Sequence, residues 1–99
     1  MAKTIYKLFM FKPLEAWFQL SSEEQASLMK KNDESLKNVG GKTIIAADSS
    51  WSSEEWLYFG VHEFPDIEAV QKHAKDLNEV NWFRYGESKV ILGTIAEQF

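Results

Sequence analysis

Thr4-Ile5-Tyr6-Lys7-Leu8-Phe9-Met10-Phe11-Lys12, closed by Pro13, is the stretch from which the fold can be read. β-Branched and aromatic residues crowd it, and proline cannot continue a hydrogen-bonded ladder, so it reads as a strand. Successive side chains alternate: Ile5, Phe9 and Phe11 point to one side, Tyr6, Leu8 and Met10 to the other. Both sides are mainly apolar, which is the pattern of a central strand covered on both faces.

Working outward, Ser21-Ser22-Glu23-Glu24-Gln25 offers two overlapping capping boxes, Ser21 with Glu24 or Ser22 with Gln25, and predicts a helix to about Asn38. Gly40 and Gly41 end it, since glycine accepts positive φ at a helix C-terminus. Its apolar stripe includes Leu28, Met29, Leu36 and Val39. Lys42 to Ala47 reads as a second, short strand, and the polar loop Asp48 to Glu54 carries a single ring, Trp51. Glu55 to Phe64 reads as a third strand. Pro65-Asp66 caps a second helix to about Val80, with Ile67, Val70, Ala74 and Leu77 along one side. Asn81 to Gly86 looks irregular, and Ser88 to Ala96 reads as a fourth strand, apolar on both faces.

Strand, helix, strand thus occurs twice within 99 residues, with no linker or low-complexity tract, so residues 1–99 read as a single domain. The economical assembly is α+β, a ferredoxin-like βαββαβ fold whose four-stranded antiparallel sheet carries two helices on one face. Two helices cover only one face of a sheet that is apolar on both. A homodimer joined through the other face is therefore predicted, and the alternative is that Pro13 to Leu20, with Trp17 and Phe18, folds over it.

Composition narrows the function classes. Cysteine is absent, which excludes disulfides, thiolate nucleophiles and Cys-ligated metals and favours a cytoplasmic protein. The formal charge is −4 and no basic stripe is present, so nucleic acid is a poor partner. Lys7 and Lys12 break the N-terminal apolar run, and no stretch approaches the roughly 18 apolar residues that span a bilayer.

Ala16-Trp17-Phe18-Gln19-Leu20-Ser21-Ser22-Glu23-Glu24, His62-Glu63-Phe64-Pro65-Asp66 and Asn81-Trp82-Phe83-Arg84-Tyr85, set in this doubled order, carry a resemblance. The chain resembles the dimeric α+β barrel superfamily, in particular an uncharacterised bacterial branch related to antibiotic-biosynthesis-type monooxygenases and stress-responsive barrel proteins. The resemblance implies the fold and a dimer. It carries no assigned activity and no catalytic set onto these residues.

Candidate site residues come from interruptions in the pattern. Asn32 lies between Leu28 and Leu36, and His73 between Val70 and Leu77, so each helix sets one polar group on its inner side. A buried polar group is costly unless partnered, so either a hydrogen-bond network or a ligand is expected there. His62 shares a strand face with Tyr58 and Trp56, and Gly60 between them leaves room for something to approach the backbone. Histidine can take a proton near neutrality and a tyrosine hydroxyl can orient an oxygen. His73, His62 and Tyr58 are accordingly the candidate catalytic residues.

Asn32, Trp56, Trp82, Arg84 and Tyr6 form the candidate substrate-binding set, with Trp82 stacking on a ring and Arg84 pairing with a carboxylate or with surface Glu87. Trp51 is expected to insert into the partner subunit. No His-Glu-x-x-His or phosphate-loop spacing occurs, so no metal is expected. The leading expectation is a small hydrophobic or aromatic, polyketide-like ligand between helices and sheet, with cofactor-independent oxygenation, isomerisation or cyclisation if the protein is an enzyme. A non-catalytic structural or stress-related homodimer is the alternative. A haem held by one axial histidine is the third, no cofactor being otherwise required.

Overall fold

The computed structural model describes residues 3–98. Strand β1 spans Ile5–Pro13, and a one-turn helix α1 (Glu15–Phe18) leads to the long helix α2 (Ser22–Asn38). Strands β2 (Lys42–Asp48) and β3 (Tyr58–Phe64) follow, then helix α3 (Ile67–Glu79), a second one-turn helix α4 (Trp82–Tyr85) and strand β4 (Gly86–Gly93). The sheet order is β2-β3-β1-β4 with every neighbouring pair antiparallel. This is the ferredoxin-like order, with β1 inside the sheet.

Local chemistry sets the element ends. Of the two possible capping boxes, the one on Ser21 forms: its Oγ accepts from the Glu24 N–H at 3.1 Å, and the Glu24 carboxylate accepts from the Ser21 N–H at 2.9 Å. Gln25 turns instead to the Trp17 carbonyl. Gly40 takes φ +81°, and the Gly41 N–H closes back on the Leu36 carbonyl at 2.8 Å, ending α2 as the glycine pair predicts. Asp66 caps α3 by accepting from the Ala69 N–H.

Several boundaries differ from the sequence reading. β3 starts at Tyr58 rather than Glu55, because serines engage the backbone before it: Ser49 Oγ donates to the Trp56 carbonyl and Ser53 Oγ accepts from the Trp56 N–H. Trp56 therefore lies in the loop. β4 runs Gly86–Gly93 rather than Ser88 to Ala96, since Gly86 already pairs with Pro13 and Gly93 faces Tyr6, next to the first residue of β1. Asn81, at φ +57°, turns the chain into α4 where an irregular segment is expected. The β2/β3 register shifts between Thr43 and Ile45.

The buried core is small. Leu36, Phe64, Ala69 and Val70 cluster with Ile5 and Val39 packed against them, and Leu77 and Trp82 are buried as well. Met29 and Ile67, placed on the inner stripes by spacing, are exposed. Pro13 to Leu20 does not cover the helix-free face: Trp17 packs on Trp82, which packs on Phe11 on the helix side. That face keeps Ile45, Phe59 and Ile91 exposed. Not one side chain of β1 is buried, although strands pair with it on both sides.

Candidate functional site

Directly paired residues of an antiparallel ladder share a face, so the registers define rows of side chains under the helices. One row crosses three strands as Leu92, Lys7 and His62, and the next as Val90, Phe9 and Gly60. Phe9 stacks on His62 with ring centroids 4.7 Å apart. A Cβ on Gly60 would stand 2.6 Å from the tip of the Phe9 ring, so the room that Gly60 provides is taken by Phe9. Val90 and Leu92, at the β4 edge of these rows, are 49% and 45% exposed.

The polar interruptions of the two helices do converge. His73 of α3 is 1% exposed, and its Nε2 lies 2.8 Å from Asn32 Oδ1 of α2. An amide oxygen only accepts, so Nε2–H donates and His73 is the tautomer with a bare lone pair on Nδ1. His62 lies beneath it, ring centroids 6.0 Å apart, and both imidazoles contact Phe64. The Nδ1 atoms of His62 and of His73 are both enclosed with no hydrogen-bond partner.

Electrostatics keep both rings neutral. Burial, then the Lys7 ammonium, lowers His62 to about 4, against a weaker pull upward from Asp33. Burial, Lys7 and His62 together lower His73 to about 4, opposed by Asp76 and the contact with Asn32. Lys7 is the residue that sequence reasoning missed, having been read only as a charge that breaks an apolar run. The available signal was alternation, which puts Lys7 on the same side as Ile5, Phe9 and Phe11.

The remaining candidates lie elsewhere. Tyr58 is on the helix side but two rows from His62, roughly 13 Å along the strand. Tyr6 is on the opposite face, donating to Glu63 at 3.1 Å, an acceptor that raises its own pKa. Trp56 lines a concavity of about 330 Å³ on that opposite face with Leu8, Met10, Ser49, Ser53 and Phe59. Trp82 is a core residue packed on Phe11 and Trp17. Arg84 is exposed on α4 and, among the described residues, makes no salt bridge, to Glu87 or to any other acid. Trp51 is 86% exposed. A second groove, of about 210 Å³, runs between α2 and α3 beside Ser35 and Asp76. Among the described residues no three His, Asp or Glu cluster as metal ligands, and no helix is long and apolar enough to cross a membrane.

No family model matches the sequence, and no curated protein matches it. Solved structures do match its shape. A variant of chlorite dismutase from Candidatus Nitrospira defluvii superposes with TM-score 0.76 at 17% identity, over 97% of this chain and 42% of that one. The same dismutase in complex with imidazole gives 0.75 at 17% identity, with the same coverage. A protein of unknown function from Rhodopseudomonas palustris gives 0.70 at 16% identity, over 98% of this chain and 85% of that one. This chain therefore spans less than half the length of the dismutase chains. At such identities the likeness establishes the ferredoxin-like α+β fold, and it does not reach the antibiotic-biosynthesis monooxygenase branch.

Proposed function

We propose that the protein binds a small, flat, largely apolar molecule on the helix side of its sheet, over Phe9, Val90 and Leu92 and beside His62, and that the opposite face joins a second copy. One observation carries the reading: the helix-side residues of β1 are only half-buried and Val90 and Leu92 beside them are exposed, so the helices leave the β4 side of the sheet partly open. Covered sheets bury such residues, and an apolar floor left open beside polar groups is the usual form of a ligand site. The Nδ1 atoms of His62 and His73 find no partner in the protein, so the imidazole pair beside this floor keeps unmet hydrogen-bonding capacity.

The chemistry favours binding over reaction. Imidazoles near pKa 4 are weak bases at neutral pH, whereas oxygenation, isomerisation or cyclisation begun by proton removal works best with a base near the operating pH. The imidazoles therefore wall the site rather than serve as its base, Asn32 holding the His73 ring in place. Titration with 2-naphthol, followed by tryptophan fluorescence, tests the site. Binding that weakens at least about tenfold in Asn32→Ala and in His73→Ala, each checked for folding by circular dichroism, supports it. No binding, or binding unchanged in both variants, overturns it.

Haem is the second reading, favoured by a partly buried histidine against a phenylalanine ring. His62 would be the residue to hold it, because His73 is committed to Asn32 through Nε2 and enclosed at Nδ1. Such a group would bring redox chemistry to the site. A Soret band on titration with haem, lost in His62→Ala, is its signature.

A further inference from the structure

Lys7 stands in the middle of the site just described without a counter-ion. Among the described residues three lysines pair with acids, at Lys30–Glu34, Lys42–Glu63 and Lys72–Asp76; Lys7 is not one of them, and no carboxylate lies within 4 Å of its ammonium. Its neighbours on the helix side are Ile5 and Phe9 along the strand, and Leu92 and His62 across it, none of them acidic. Asp33 and Asp76 act on the histidines from the helices, yet neither bonds to Lys7.

A cation half-buried among apolar groups and neutral rings lowers stability unless something offsets its desolvation. Burial already weakens its hold on its proton. Lysine also carries three donors on a flexible stem, suited to a compact anion at a range of approach angles. The row Leu92–Lys7–His62 sets this charge directly beside the apolar row Val90–Phe9, so one molecule lying across both rows would meet a cation at one end and carbon at the other.

We propose that the ligand of this site is an acid, whose carboxylate or similarly compact anion pairs with Lys7 while its apolar body covers Phe9, Val90 and Leu92. The proposal rests on the binding site of the preceding subsection and adds the charge of the ligand. It makes Lys7 the residue that decides between an acid and its neutral analogue.

The test compares 2-naphthoate with methyl 2-naphthoate, which share an aromatic body and differ in charge, by calorimetric titration of the full chain at pH 7.5. The acid is expected to bind at least about tenfold more tightly than the ester. Lys7→Met, which keeps the stem, is expected to abolish that preference while leaving ester affinity within about twofold; Lys7→Arg is expected to retain it. Equal binding of acid and ester, or a preference that survives Lys7→Met, overturns the role of Lys7 while leaving the site intact. If 2-naphthol and both naphthoate forms all fail to bind, the site itself falls and the proposal with it.

Discussion

A neutral imidazole enclosed in a core ties stability to protons. Between about pH 6.5 and about 4 the unfolded chain protonates its histidines while the folded chain resists at His62 and His73. The unfolded state then holds more protons, so stability falls as pH falls through that window and is flat above it. The charged groups facing the rings act in both directions, but Lys7 opposes protonation of His62 more strongly than Asp33 favours it, and Lys7 and His62 oppose protonation of His73 more strongly than Asp76 favours it. With solvent screening allowed for, the loss is on the order of 1 kcal/mol per ring. The depressed carboxylates Glu24, Asp48, Glu63 and Asp76 lose their contributions only at lower pH, so the two effects separate. Urea denaturation from pH 7.5 to 4.5 should show the decline in the native chain and little of it in the His62→Gln/His73→Gln double variant. An equal decline in both would contradict the assignment.

At the scale of elements, the chain states its helix ends outright, because each terminus has a chemical device made of neighbouring residues. Ser21→Ala removes the Oγ acceptor of the Glu24 N–H, leaving only the backbone half of the α2 capping box, and should cost about 1 kcal/mol in denaturant unfolding, with Ser22→Ala close to neutral. The reverse order of effects would mean that the alternative box operates in solution. Strand ends were harder to read. Trp56 sits in a sequence that alternates like a strand, but its backbone groups are taken by Ser49 and Ser53, and hydroxyl reach through a loop leaves no period to detect. The convergence of Asn32 and His73 was legible from spacing alone, since both fall one turn from core leucines. Lys7 was not, because its importance lies in its cross-strand neighbours Leu92 and His62, which only register supplies. Tyr58 was misplaced for the same reason, since alternation tells which side a residue faces but not how far along it lies from His62; Tyr6 faces the other side of the sheet, which only the β1/β3 register relates to His62.

At the scale of the whole molecule, the helix-free face leaves Ile45, Phe59 and Ile91 in water. An apolar sheet face of this kind is commonly closed by a second copy about a two-fold axis, where each substitution counts twice. Sedimentation equilibrium at micromolar concentration is expected to give twice the chain mass, and Phe59→Lys with Ile91→Lys to give a monomer. A wild-type monomer would exclude the self-association reading.

The absence of any buried side chain on β1 also makes the folded state an open system. Its inner strand is only half-buried by the chain itself, so whatever covers more of either face and does not bind the unfolded chain raises the melting temperature by mass action. Dilution and ligand titration therefore become independent readouts of the two faces, one moving with protein concentration and the other with solute. A thermal melt on unlabelled protein can thus search for the natural ligand with no assumption about its chemistry.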